Sequence, residues 1–426
     1  MHFTNRADIR KLGIMATVSG VLLTAVIGCG GGTSSANAFM GPSNPSSSAS
    51  APASTPPTPT PPPPNPPPTP PPPTPPPPTP PPPQPPPAPT PTSNPEFQAN
   101  ITATAKWVAT QVAPSGAILY TTSQINPYYS NLTAIGLTHD PGSYGAVQNW
   151  MKWYIGHLNV NDTWGLSGTT YDYSYNNGAE TSLVNADSTD SYAATFLSLA
   201  LAYYNTGDPG AQAYVRSIGP QLDMIGGVLA KTQQSDGLTW AKPDYQIKYL
   251  MDNCEVYRGL RDVAQLFHIA FNDSAKAQSY NAMADASLQG LMGMYLGNGS
   301  WAVYKDGVGS LFAPHLGTWY PDATAQMFPV MQGVIPGTDA KAVQTYNNFK
   351  AMWPAWDTLS FSSQDAFPWV MIAGAAAVSG DSAGAQTYIK TIESKYVNNG
   401  FPWPWYNQEA GWFIRLNAYM AGIRPL

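Results

Sequence analysis

Charge is the first thing this chain lacks. It has 19 Lys and Arg and 25 Asp and Glu in 426 residues, a charged fraction of 10%, against about 25% in ordinary soluble domains. No basic patch exists, so nucleic acid is not expected as a partner. The five histidines (His2, His139, His157, His268 and His315) have no metal-ligand spacing, so neither a metal nor a cofactor is expected. Glycine-rich phosphate loops and Gly-x-Ser-x-Gly elbows are also missing.

The scarcity is uneven. From Gly30 to Pro95 there is no Asp, Glu, Lys or Arg, and Thr55 to Thr92 is mostly proline. Such a run has no apolar face to bury. Proline fixes φ, so a polyproline II rod is expected, on the order of 120 Å long at about 3.1 Å per residue. Ahead of it, Arg6, Arg10 and Lys11 precede an apolar stretch, Leu12 to Gly28, the pattern of an export signal. Val26-Ile27-Gly28-Cys29 resembles the lipobox of bacterial lipoproteins. That resemblance implies cleavage before Cys29, lipidation of its thiol and, with Gly30 next, sorting to the outer membrane. An uncleaved anchor helix is the alternative. The only other cysteine is Cys254; with Cys29 acylated, no disulfide can form and stability rests on the core. The domains expected are a signal peptide (1–28), a lipid-anchored linker (29–95) and a globular head (96–426), with membrane contact only through the lipid.

What is abundant sits in the head. All 24 Tyr and 13 Trp lie there. An aromatic-rich, charge-poor, exported head suits neutral, hydroxyl-rich ligands, because sugar rings stack their CH faces on Trp and Tyr. A polysaccharide or oligosaccharide partner and a monomeric state are expected.

Apolar periodicity and breakers divide the head almost entirely into helices, at about 98–113, 125–138, 141–158, 187–207, 209–233, 249–271, 273–296, 320–337, 340–354, 365–380, 381–397 and 409–424. Pro220 and Pro329 should kink two of them. Short corners follow the even helices and longer aromatic connections precede them. The even helices are apolar on most faces, as in SYAATFLSLALAYY; the odd ones are amphipathic. Apolar all round means buried. This rhythm suggests an all-α (α/α)6 toroid, six helical hairpins in a ring with the even helices inside.

Five inner helices carry acid near their N-termini: Asp187 and Asp190, Asp252 and Glu255, Asp322, Asp365, and Glu409. Caps are the simplest explanation, but caps at one mouth would still line one cavity. The stretch NADSTDSYAATFLSLALAY is similar to the acidic start of an inner helix in glycoside hydrolase family 8 endoglucanases, with Ser188-Thr189 in place of glycine. The whole head resembles the six-hairpin glycosidase superfamily. This resemblance implies glycoside hydrolysis by paired carboxylates, with Asp190 and Glu255 as the pair and Asp187 and Asp322 as supporting or alternative members. Glu255 could instead pair with Arg258, one turn on. Candidate sugar platforms are Tyr128, Tyr171, Tyr173, Trp319, Tyr320, Trp369, Trp403, Trp405 and Trp412. Two other readings are a polysaccharide lyase using Arg258, His315 and Tyr320, which a net acidic head disfavours for a polyanion, and a non-catalytic glycan-binding lipoprotein.

Overall fold

The computed structural model describes Pro95–Leu426 except Gln364. The signal segment, Cys29 and the proline-rich run lie outside the described residues.

The described chain forms six helical hairpins. The first pairs α1 (Pro95–Ala109) with α2 (Pro127–Leu137), and the second α3 (Tyr144–Gly156) with α4 (Thr189–Tyr204). In the third, α5 (Pro209–Ser217) and α6 (Gly219–Thr232) precede α7 (Leu250–Phe271). In the fourth, α8 (Ser274–Met292) leads to a π-helical turn, Trp319–Ala323, and the short α9 (Phe328–Met331). The last two pair α10 (Ala340–Met352) with α11 (Met371–Val378), and α12 (Ser382–Lys395) with α13 (Asn407–Met420). Each inner helix packs on the next: α2 on α4, α4 on α7, α7 on α9, α9 on α11, α11 on α13, and α13 back on α2. The ring closes, and the fold is the expected (α/α)6 toroid.

Burial follows from the sequence of each element. Every residue of α4 except Ser198 and Ala202 is buried, and every residue of α13 except Met420. The outer helix α12 buries only Ala385, Tyr388, Ile389 and Ile392, one stripe at helical spacing. Closure needs glycine at two points. A Cβ on Gly136 would lie 2.4 Å from Gly411 O, and one on Gly411 would lie 2.4 Å from Leu132 O, so the α2 and α13 backbones touch.

Three expectations need correction. The helix expected over 320–337 survives only as the π turn and α9, because Pro321 and Pro329 interrupt the amide ladder. The helix expected from 365 begins at Met371: Pro368 forces extended backbone before it, and Trp369 adopts φ 55°. The all-helical reading also missed six short strands. β1 (Gln124–Ile125), β2 (Tyr173–Asn176) and β3 (Ala179–Ser182) form one antiparallel sheet; β4 (Lys248–Tyr249), β5 (Tyr304–Lys305) and β6 (Leu311–Phe312) form another. All six lie in the long connections that enter inner elements. The β2–β3 turn is Asn177-Gly178, both at positive φ, a hairpin signal present in the sequence.

Replacing Gly136 or Gly411 by alanine is expected to lower unfolding free energy by about 1–3 kcal/mol through overpacking, and the double variant to be non-additive. Urea denaturation measures this; unchanged midpoints would contradict a ring closed by backbone contact.

Candidate active site

The acids at the helix starts divide by face. At the short corners Asp208, Asp273, Asp339 and Asp381 cap outer helices, each accepting from a backbone N–H of the first turn. At the other end the caps of α2 and α4 are uncharged: Asn126 accepts from Tyr129 N, and Ser188 from Ser191 N. Neutral residues do the capping on these two helices, which leaves the neighbouring carboxylates for other contacts.

They meet inside the ring. Tyr128 Oη donates to Glu255 Oε1 at 2.8 Å, bridging α2 and α7. Tyr192 Oη donates to Asp172 Oδ1 at 2.8 Å, and Asn126 Nδ2 donates to both at 2.8 and 3.2 Å. Asp190 is saturated: Ser188 Oγ (2.5 Å) and Ser191 N (2.8 Å) reach Oδ1, and Thr239 Oγ1 (2.6 Å) reaches Oδ2. Ser188 Oγ also lies 3.3 Å from Asp252 Oδ2. Its single proton serves Asp190, so the second contact is filled when Asp252 carries a proton and donates. Glu409 Oε2 accepts from Val370 N at 2.7 Å, tying α13 to α11. Asp365 accepts from Trp369 Nε1 at 2.6 Å.

Asp187 stands apart. Its carboxylate accepts no hydrogen bond among the described residues and is half-buried. Yet its charge acts on Tyr129, Asp172, Tyr192, Tyr249, Asp252 and Tyr320, groups from five separate segments. It occupies the electrostatic centre of the mouth.

Burial in common pushes these acids up. Asp172 and Glu409 rise to about 8 and Asp190 to about 6, each chiefly by desolvation. Asp252 rises well above the carboxylate range through desolvation first, then the charges of Asp190, Glu255 and Asp187. Glu255 rises for the same leading reason, opposed by the Tyr128 hydroxyl. Asp187 is raised by desolvation but pulled back by Lys242.

The sequence-derived residues fare differently. Asp187, Asp190, Glu255, Tyr128 and Tyr320 are brought together. Asp322 sits aside, accepting from His315 N at 2.7 Å. The ion pair of Glu255 with Arg258 does not form; Arg258 Nε bonds both oxygens of Asp262 at 2.9 Å. Tyr320 stacks on the buried Trp369, centroids 5.0 Å apart, and Trp403 is 60% exposed. Trp319, Trp405 and Trp412 are each 3% exposed; they fill core and offer no face to a sugar. Tyr171 is buried too, and its hydroxyl accepts from Thr163 N. Tyr173 packs edge-on against Trp153 and His157 of the α3 segment rather than in the mouth.

Sequence reasoning missed Asp172, Tyr192, Thr239 and an aromatic run on the second sheet. Tyr249 lies 5.9 Å from Tyr304, which stacks on Phe312 at 4.2 Å; Phe312 and Leu311 are 38% and 42% exposed. Strand pairing aligns Tyr249 with Tyr304 and Tyr304 with Phe312. Only the sheet makes that run continuous.

Raised carboxyls bind protons on folding. The contribution of Asp172 and Glu409 is complete below their ordinary values near 4 and is lost as pH rises to about 8. Asp236 and Asp381 shift the opposite way, so they act at lower pH. Buried His139, lowered to about 4, shifts the opposite way and offsets Asp172 and Glu409 below about 6.5, so unfolding free energy should fall between about pH 6.5 and pH 8, by up to about 1.4 kcal/mol per pH unit for each proton. Glu409→Gln should flatten the decline; a variant that parallels the wild type across that window would contradict it.

No family model and no curated protein matches this chain. Solved structures do match in fold. A wild-type glycosidase shares 13% identity at a TM-score of 0.55, over 77% of this chain and 98% of its own. A GH63 mannosylglycerate hydrolase from Thermus thermophilus, in complex with glucose, shares 12% identity at 0.54, over 75% and 99%. An uncharacterized conserved protein from the same organism shares 12% at 0.55, over 76% and 100%. The chain has the helical-ring fold of these glycosidases.

Proposed function

We propose that this chain is a glycoside hydrolase acting on a neutral or weakly charged oligo- or polysaccharide. The observation that carries the reading is Asp187, a carboxylate that accepts no hydrogen bond among the described residues, at the centre of a ring of tyrosines and acids. Hydrolysis needs one carboxyl to protonate the glycosidic oxygen and another to activate water or attack the anomeric carbon. Asp252 suits the first role, because burial, reinforced by its acidic neighbours, keeps it protonated. Asp187 suits the second: burial raises it as well, but Lys242 opposes that rise, so it gives up its proton before Asp252. Environments that push two carboxyls apart assign acid and base.

In this reading Asp190 and Glu255 lie beneath the reacting pair. Asp190 is held by three donors and Glu255 by Tyr128, and both set the protonation of Asp252. Tyr320, Tyr304 and Phe312 offer sugar-stacking faces leading out of the mouth, with buried Tyr249 behind them. The fold likeness to glycosidases supports the reaction class. The lyase alternative is weakened, because Arg258 is engaged by Asp262 and His315 lies on an exposed loop.

Asp187→Asn and Asp252→Asn should each lower kcat/KM by about 10²–10⁴-fold with thermal stability retained, read on an oligosaccharide found by glycan screening with product mass spectrometry. Full activity in both, with loss in Asp190→Asn and Glu255→Gln, would move the reaction to the deeper pair. An unsaturated, ultraviolet-absorbing product would indicate a lyase.

The export signal and Cys29 complete the reading: the head stands off a bacterial outer membrane on the proline-rich spacer. Metabolic palmitate labelling should be lost in Cys29→Ser, with the protein released from the membrane fraction; a labelled or membrane-bound variant would rule this anchoring out.

A further inference from the structure

Beneath the acidic mouth the ring holds a partly open pocket of about 80 Å³, room for a handful of waters or one small ion with its hydration. It runs along the axis toward the C-terminal ends of the inner helices. Ser198 and Ala202, the two α4 residues that are not fully buried, line it. So do Glu255 from above, and Arg258, Asp262 and Arg415.

The charges of this cavity do not cancel. Arg258 and Asp262 form a closed pair, Nε to both carboxylate oxygens at 2.9 Å. Arg415 has no such partner. It is only 7% exposed, its Nε makes no hydrogen bond, and it enters no salt bridge among the described residues. The Trp412 ring covers one face of the guanidinium at 3.9 Å; an indole satisfies no N–H. Burial and the Arg258 charge lower its pKa to about 9, which leaves it a cation at neutral pH. Glu255 Oε2 borders the same cavity and also lacks a partner. The groups facing Glu255 are Tyr128 from α2, Asp190 from α4, Asp252, Arg258 and Asp262 on α7, and Arg415 from α13; Gln332, after α9, is neutral. Burial favours the protonated acid against the pull of Arg415, and no ion pair joins Glu255 to Arg415 among the described residues, so Glu255 does not supply the missing negative charge. A buried cation needs a counter-ion.

We propose that this cavity is a binding site for a small monovalent anion of the halide class, held by Arg415 beneath Glu255. The Asp262 carboxylate would repel a multiply charged anion, and the volume is too small for a sugar acid. An anion there opposes ionisation of Glu255, so halide uptake is linked to proton retention by that acid. This site does not depend on which carboxyls perform the chemistry.

The test uses the full chain and chloride or bromide as probes. Chloride NMR line broadening should saturate with protein, weaken as pH rises through the titration of Glu255, and vanish in Arg415→Gln. Crystals soaked in sodium bromide should show an anomalous peak between Arg415 and Glu255. Should Arg415→Gln fail to fold, Ser198→Leu, which fills the cavity from α4, should abolish both signals. Absence of broadening, broadening that persists in either variant, or no bromide peak in the cavity would overturn the proposal and leave a cavity filled by water alone.

Discussion

Carboxylates crowded at one end of a helical ring cannot all stay ionised. Asp172, Asp187, Asp190, Asp252, Glu255, Asp365 and Glu409 share one largely desolvated mouth, and each is shifted upward. Desolvation first, and like charges after it, force some of them to keep protons. The hydroxyls of Tyr128, Tyr192, Ser188 and Thr239 then decide which acids are fixed and which are left free. Protonated and ionised carboxyls are separated by this sorting, not by any single residue.

The fold makes the crowding possible and tolerable. Six inner elements start at the same face, so their first turns converge. Uncharged caps on α2 and α4 leave the carboxyls free there, while aspartates do the capping at the opposite corners. Ring closure depends on close backbone approach, Gly136 against Gly411, which brings α13 and its Glu409 within reach of α11. A wider ring would solvate the acids and remove their shifts.

Much of this could be read from residues alone. The alternation of apolar-all-round and striped helices marked inner from outer, and the acids at inner helix starts marked the mouth, because burial and periodicity are local properties of a helix. Pairing of Glu255 with Arg258 looked equally reasonable at i,i+3 spacing, but Asp262, one turn further on, takes the guanidinium with both oxygens. The saturation of Asp190 by Thr239, 49 positions away, has no local signal. Nor does the isolation of Arg415, which depends on what the neighbouring helices fail to place beside it. Buried Trp405 and Trp412 read as platforms because aromatic content says nothing of which face is covered. The Tyr249–Tyr304–Phe312 run needed a strand register that two-residue strands do not announce.

The sorting of acid from base stands on one condition: the mouth holds protonated carboxyls at neutral pH, Asp252 among them. Infrared difference spectroscopy of the protonated carboxyl stretch measures it directly. Such bands are predicted at pH 7, with one lost in Asp252→Asn. A spectrum at pH 7 with every carboxyl ionised, in wild type and variant alike, would contradict it.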